Sequence, residues 1–178
     1  ARATEAALRM PLSMFTIHAS GGTAMMRETV AAARQASKER GIEPPLILAV
    51  TVLTSLNDAD VAALGFSMAT KDLVTRLALL AQDAGVSGVV ASPGDIPSIR
   101  EACGDDFIVV TPGIRLETAQ VAGDDQKRTL TPKQAITEGA DFIVVGRPIR
   151  TATDPAAAAR GIVHEIEQGL TERTTRRH

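Results

Sequence analysis

Aromatic residues are scarce in this sequence: they make up 2% of it, and both Trp and Tyr are missing. Apolar residues still reach 44% of the 178 residues, which is enough for one domain with a hydrophobic core. That core must be built from Val, Ile, Leu, Ala and Met. Such a composition favours close-packed α/β layers over a β-sandwich, whose strands usually carry aromatic side chains.

Other missing features each exclude a class of protein. The single cysteine, Cys103, excludes an internal disulfide and fits a reducing cytoplasm. No stretch reaches the roughly 20 apolar residues of a membrane span, so we expect no membrane partner. The net charge is −2 and no basic stripe is present, so we expect no nucleic-acid partner. We also find no Walker loop, no G-x-G-x-x-G after a strand and no nucleophile elbow.

Short apolar runs alternate with amphipathic stretches along the whole chain. The pattern predicts strands at 14–18, 45–53, 86–91, 107–111 and 141–145, with helices at 23–40, 58–64, 70–84, 95–102, 132–138 and 155–170. This alternation indicates a parallel sheet with right-handed crossovers. About five β/α units fit a doubly wound open sheet as well as part of an eight-unit barrel, and periodicity alone does not decide between them.

The segments that follow the predicted strands are rich in Gly, Ser and Thr. In a parallel α/β sheet these carboxyl ends carry the ligand site, and this composition suits an anionic small ligand better than a transition metal. In Val145-Gly-Arg-Pro148, Gly146 lets the backbone approach a ligand, and the next helix can turn its amides toward a phosphate. Arg147 adds a fork of donors that matches phosphate oxygens. The alternative is a plain turn with an exposed Arg.

Three other segments each allow two interpretations. The loop that begins with Thr111-Pro-Gly-Ile-Arg115 and passes Gly123-Asp-Asp-Gln126 is either a lid over a ligand or a solvated surface loop. Thr54 either hydrogen-bonds a ligand or caps the next turn. His18 ends a strand, where a hydrogen-bonded structural histidine is more common than a catalytic acid or base.

Five segments in this order resemble the bacterial orotidine 5′-phosphate decarboxylases. They are Phe15-Thr-Ile-His-Ala-Ser-Gly-Gly22, Ala49-Val-Thr-Val-Leu-Thr-Ser55, Val110-Thr-Pro-Gly-Ile-Arg115, Gly123-Asp-Asp-Gln126 and Val145-Gly-Arg-Pro148. The resemblance implies a (β/α)8 barrel, of which this chain supplies about the last five β/α units. We expect a single partial barrel domain over residues 1–178, with a disordered tail at 171–178.

The resemblance also implies an activity and roles for particular residues. The family decarboxylates orotidine 5′-phosphate to uridine 5′-phosphate (UMP) in pyrimidine biosynthesis, without a cofactor or metal, and is typically a cytoplasmic homodimer. By position, Thr54 would contact the pyrimidine ring. Arg115 and Gln126 would belong to the loop that closes over the nucleotide. Gly146 and Arg147 would hold the 5′-phosphate.

One part of the family pattern is missing from this sequence. The family's catalytic Lys and Asp residues come from the first strands, chiefly from a D-x-K-x-x-D-I-P-x-T motif, and no such motif stands here. We therefore expect no catalytic residue in this chain. A companion N-terminal segment of about 60–70 residues would supply those charges. The alternatives are a non-catalytic fragment that binds nucleotide and another phosphate-sugar barrel enzyme.

Overall fold

The computed structural model describes residues 2–115 and 130–176, which form a parallel sheet with helices between the strands. Strands β1 to β5 span Met14–His18, Leu46–Val50, Gly88–Val90, Ile108–Thr111 and Phe142–Ile143. Within the described ranges, helices α1 to α8 span Arg2–Ala7, Gly22–Arg40, Asp58–Ala63, Thr70–Asp83, Ile96–Cys103, Pro132–Glu138, Arg147–Arg150 and Pro155–Arg176. The predicted strands and helices are thus confirmed, although four of the strands are shorter than predicted.

The order of the strands decides between the two predicted architectures. The strands lie side by side as β1-β2-β3-β4-β5, the same order as in the sequence, and every neighbouring pair is parallel. A doubly wound sheet reverses its strand order at a switch point, whereas a barrel does not. The fold is therefore part of a (β/α)8 barrel.

The predicted helix starts are confirmed by their capping hydrogen bonds. The side chain of Asn57 accepts from the backbone N–H of Asp60 at 3.1 Å, and Asp60 Oδ2 accepts from the Asn57 N–H at 3.0 Å. Thr131 and Gln134 form the same reciprocal pair at 3.2 and 3.0 Å, and Pro132 opens the helix between them. Each pair satisfies two backbone donors that the first helical turn leaves unpaired.

The last helix is longer than predicted. It continues to Arg176, whereas the sequence predicts an end near Leu170 and a disordered tail from 171, so that prediction is wrong for residues 171–176. The reason is tertiary contact: Arg173 donates to the Ala140 carbonyl at 3.2 Å, and Glu172 pairs with Lys133 at 2.6 Å. Although α8 is the longest described helix, neither it nor any other in the described ranges is apolar enough to cross a membrane.

The two faces of the sheet are buried to different extents. The outer face packs against the helices and carries Ile47, Ala49, Val89 and Val109 in the hydrophobic core. Side chains alternate between faces along a strand, so the next row in register lies on the inner face. That row consists of His18, Val50, Val90, Val110 and Phe142. Its two ends, on β1 and β5, are exposed, with Phe142 at 43%.

A charged network ties the amino ends of β4 and β5 to two helices. Arg100 on α5 donates to Asp141 Oδ2 at 2.6 Å and to the Phe107 carbonyl at 2.6 Å. The same Asp141 oxygen accepts from the Val109 N–H at 2.8 Å, and Arg173 on α8 lies 3.6 Å from the other oxygen. This edge of a barrel serves stability, which leaves the opposite edge to the ligand.

Helices α6 and α8 cross closely because α8 carries a glycine at the contact. A Cβ atom at Gly169 would lie 2.7 Å from the Lys133 carbonyl oxygen and 2.9 Å from Ile136 Cβ. Gly161, in the same helix, has nothing within 4 Å of the corresponding position. The two glycines have the same intrinsic helix propensity and differ in what surrounds them.

We predict opposite effects of alanine at these two positions. Gly161→Ala should raise the free energy of unfolding by about 0.5–1 kcal/mol, because Ala is the better helix former. Gly169→Ala should lower it by about 1–3 kcal/mol, because the added methyl group overpacks the crossing. Urea unfolding followed by circular dichroism measures both variants. Stabilisation by both substitutions would contradict the close crossing.

Candidate functional site at the carboxyl edge of the sheet

The segments that follow the strands meet at one edge of the sheet, as the sequence predicts. His18 is the last residue of β1, Thr54 follows β2, Arg115 follows β4, and Gly146 and Arg147 follow β5. All five strands are parallel, so their carboxyl ends point the same way. Thr111, the last residue of β4, accepts on its carbonyl from the Val144 N–H at 2.9 Å. The segments after β4 and β5 therefore start side by side.

A cleft of about 240 Å³ opens between the ends of β2, β3 and β4. Its described lining consists of Val50, Val52, Leu53, Thr54, Ser55, Val90, Ala91 and Pro112. The walls are mainly aliphatic, and two adjacent hydroxyl side chains, those of Thr54 and Ser55, provide hydrogen-bonding groups. Apolar walls with a few placed polar groups are typical of a small-molecule site.

Thr54 is half-buried in this cleft and belongs to the turn after β2. The base of that turn is fixed by Thr51, whose N–H and hydroxyl both donate to the Val90 carbonyl, at 3.1 and 3.0 Å. The helix that follows is capped by Asn57. Thr54 is therefore not the cap of that helix, and it contributes to the lining of the cleft.

The turn after β4 is held to the segment that precedes α6. Gly113 has a φ of +81°, a left-handed conformation that residues with a Cβ rarely adopt. Ile114 is 1% exposed and forms a parallel bridge with Leu130, and the Arg115 N–H donates to the Leu130 carbonyl at 3.0 Å. The two ends of the loop are thus side by side. Gln126 lies outside the described residues.

The guanidinium of Arg115 is directed at this turn. Nη1 donates to the carbonyl of Ile114 at 3.0 Å, and Nη2 is buried. Arg115 is not among the described residues that line the cleft. The structure therefore places Arg115 at the predicted edge, in the segment after β4.

Gly146 and Arg147 lie at an open corner beside that turn. Both residues are exposed, and a Cβ atom on Gly146 would have nothing within 4 Å. The Gly146 carbonyl accepts from the N–H of Arg150 at 3.0 Å, which begins α7. This helix has only four residues. Its dipole is accordingly small, and the approach of its amides to a phosphate stays a prediction.

His18 lies on the inner face of the sheet, in the same row as Val50 on β2 and Val90 on β3. The residue is exposed, because β1 is at the edge of the sheet. The described residues provide no hydrogen bond to its ring. The structural interpretation, in which His18 is a hydrogen-bonded core residue, therefore has no support from this part of the chain.

A set of buried polar side chains near the strand ends was missed by the sequence analysis. They are Thr51 at 7% exposure, Ser92 and Asp95 at 2%, and Thr111 at 0%. The hydroxyl of Thr51 donates to a carbonyl, whereas Thr111 Oγ1 has no hydrogen-bond partner among the described residues. Sequence offers one signal for such residues, a Ser, Thr or Asp directly after an apolar strand, but that signal does not tell buried from exposed.

Titratable groups at the opposite edge play no part in this site. Burial raises the pKa of the Cys103 thiol, although nearby Arg100 acts in the other direction. Cys103 ends α5 near the amino ends of the strands, so it is a protonated core thiol at neutral pH. In residues 2–115 and 130–176, no group of three His, Cys, Asp or Glu side chains is placed to hold a metal ion.

Comparison with known proteins identifies the family. The profile of the "Orotidine 5'-phosphate decarboxylase / HUMPS family" matches residues 1–162. This chain belongs to that family. It is 56% identical over 173 residues to the orotidine 5′-phosphate decarboxylase of Syntrophus aciditrophicus, and 48% identical over 170 residues to that of Geotalea daltonii. These matches cover 97% and 95% of this chain, and 68% and 69% of the two relatives.

Solved structures agree with the partial barrel. The orotidine 5′-phosphate decarboxylase of Lactobacillus acidophilus superposes with a TM-score of 0.77 at 36% identity, over 92% of this chain and 67% of that one. An uncharacterized conserved protein from Geobacillus kaustophilus gives 0.76 at 30% identity, over 92% of this chain and 68% of that one. This chain therefore spans about two thirds of the family fold.

We predict that valine acts differently at the two buried threonines. Thr51→Val removes a hydrogen bond and should lower the free energy of unfolding by about 1 kcal/mol. Thr111→Val should leave it unchanged or raise it by about 1 kcal/mol, because the hydroxyl is buried without a partner in the described part of the chain. Thermal unfolding of the two variants tests this. A clear loss at Thr111 would mean that its hydroxyl bonds to a group outside the described residues.

Proposed function

We propose that this chain is the nucleotide-binding part of an orotidine 5′-phosphate decarboxylase, a carboxy-lyase that forms UMP in pyrimidine biosynthesis. The observation that carries the proposal is 56% identity, along 97% of the chain, to a protein with that activity in its name. The partial barrel supports it, because it brings Thr54, Arg115 and Arg147 to one edge of the sheet.

The pyrimidine ring is proposed to occupy the cleft between β2 and β4. The ring is flat, with apolar faces and polar edges. The aliphatic walls from Val50, Val90 and Pro112 match the faces, and the Thr54 hydroxyl can bond to an edge. This arrangement supports Thr54 in the role that the family resemblance implies.

The 5′-phosphate is proposed to bind at the corner formed by Gly146 and Arg147. The corner is open, and Arg147 is exposed next to a glycine whose backbone can be approached closely. A guanidinium matches phosphate oxygens with two parallel hydrogen bonds. Gln126 is proposed to reach the same ligand from the loop, as its position in the family motif implies.

The chemistry itself requires charges that we propose to come from a companion segment. Loss of the carboxylate leaves a carbanion at C6, which a general acid must protonate. No D-x-K-x-x-D-I-P-x-T motif stands in the 178 residues. The present residues would supply remote binding energy, which stabilises the transition state when it also organises the reacting centre. Exclusion of water would then strengthen the electrostatic interactions between the carboxylate and the fixed charges around it.

Exposed apolar side chains on and near β5 support such a companion. Phe142 and Val144 on and after β5 are 43% and 53% exposed, and Val163 and Leu170 on the neighbouring helix α8 are 54% and 50% exposed. Additional β/α units would cover these apolar groups and pair the free edges of β1 and β5. The expectation of a cytoplasmic homodimer rests on the family resemblance.

Removal of the phosphate contact should weaken nucleotide binding strongly. In the complete enzyme, Arg147→Ala should reduce the affinity for UMP by about 2–4 kcal/mol, because a charged hydrogen-bond donor to phosphate is lost. Arg150→Ala, three residues along the same short helix, is the matched control and should have little effect. Isothermal titration with UMP measures both. If the Arg147 variant and the parent enzyme bind UMP with equal affinity, Arg147 does not hold the 5′-phosphate.

The isolated 178-residue chain should release no CO2 from orotidine 5′-phosphate, because it lacks the Lys and Asp motif. A fusion to the part of the Syntrophus aciditrophicus relative that lies outside the match should release CO2. Radiolabelled CO2 trapping measures both proteins. Release of CO2 by the isolated chain would refute the proposal that a companion segment supplies the catalytic charges. UMP binding by the fusion without turnover would favour the non-catalytic alternative.

A further inference from the structure

We infer that His18 is a positioning residue, whose imidazole holds by a hydrogen bond a catalytic carboxylate on the strand that pairs with the free edge of β1. This inference rests on the proposed function, which requires catalytic charges from outside the 178 residues. His18 itself does not contact the nucleotide. Its role is therefore separate from those proposed for Thr54 and Arg147.

The first support is the position of the imidazole on the sheet. Phe15 and Ile17 of β1 pack against the hydrophobic core on the outer face. Side chains alternate along a strand, so Thr16 and His18 lie on the inner face. His18 is also the last residue of β1. It therefore belongs to the layer at the carboxyl edge, where a parallel barrel builds its ligand site.

The second support is the neighbour of His18 on the next strand. His18 is in register with Val50 of β2, and Val50 lines the cleft proposed for the pyrimidine. Adjacent strands lie about 4.8 Å apart, so the imidazole is one strand away from that cleft. The rest of this described row, Val90, Val110 and Phe142, carries no titratable group.

The third support is that the side chains of Thr16 and His18 have no hydrogen-bond partner in residues 2–115 and 130–176. Both residues are exposed, because β1 is an edge strand of the sheet. A strand that pairs with this edge would bury them, and burial of a polar group without a partner is costly. The pairing strand is therefore expected to bring a hydrogen-bonding side chain to His18.

Hydrogen-bond chemistry selects a carboxylate as that partner. The proposed companion segment supplies both Lys and Asp side chains. An imidazole carries at least one N–H in either protonation state, so it can always donate to a carboxylate, whereas it accepts from an ammonium only when neutral. A carboxylate held in this way keeps a fixed orientation toward the reacting end of the ring, and such alignment contributes much of a catalytic rate.

The first test separates kcat from KM in the complete enzyme. His18→Ala should lower kcat by about 100-fold, as expected when a catalytic group is misplaced by about 1 Å. The KM for orotidine 5′-phosphate and the affinity for UMP should change by less than about threefold, because no ligand contact is lost. His18→Gln or His18→Asn keeps an N–H donor and should recover part of kcat. His164→Ala is the matched control, with a side chain 70% exposed on α8, and should leave kcat unchanged.

The second test observes the hydrogen bond itself by nuclear magnetic resonance. In the complete enzyme labelled with ¹⁵N-histidine, the ring N–H of His18 should exchange slowly with solvent. Its signal is identified by its absence from the His18→Gln variant. This measurement requires no turnover, so it tests the inference independently. A parent enzyme that releases no CO2 would count against the proposed function, and not against this hydrogen bond.

Several outcomes would overturn the inference. A marked loss of UMP affinity in His18→Ala would make His18 a ligand contact. An unchanged kcat, or a loss of kcat that neither Gln nor Asn recovers, would exclude the hydrogen bond from the reaction. Fast exchange of the ring N–H would show that it has no buried acceptor. If His18→Ala does not fold, His18→Met replaces it, because Met fills the space without a donor.

Discussion

Parallel pairing of five strands in sequence order is the constraint on which the rest of this structure depends. Each crossover helix must return the chain to the same end of the sheet, so every strand delivers its carboxyl end to one edge. Residues as distant in sequence as Thr54 and Arg147 therefore lie at the same edge. The opposite edge is free for contacts that stabilise the fold, and Arg100 and Asp141 occupy it. Separation of the two edges allows the ligand loops to vary at little cost to stability.

The sequence predicts the elements well because their signals are local. Capping pairs such as Asn57 with Asp60 depend on residues three apart, and the structure contains them where the sequence places them. Strand order is not a local property, so periodicity could not separate a barrel from a doubly wound sheet. The helical residues 171–176 were missed because Arg173 bonds to Ala140, which is 33 residues away.

Burial on the inner face of the sheet falls from the central strands to the edge strand β5. A barrel interior is a packed core in which each strand contributes to shared layers of side chains. Here the central strands have that environment, with Leu48 and Val110 at 2% and 5% exposure, while Phe142 at the edge remains 43% exposed. The fact that the match covers 68% of a relative's length is in keeping with this gradient of burial.

The carboxyl edge illustrates how a barrel can separate binding energy from alignment of the ligand. An exposed guanidinium beside Gly146 can add binding energy without any effect on the shape of the cleft. The walls of the cleft, among them Val50, Val90 and Pro112, instead determine where a flat ring can lie. Decarboxylation demands both functions, because binding energy from the phosphate accelerates the reaction only if the ring is held in register with the charges around its carboxylate. A site in which different side chains perform these functions can be tuned for one without loss of the other.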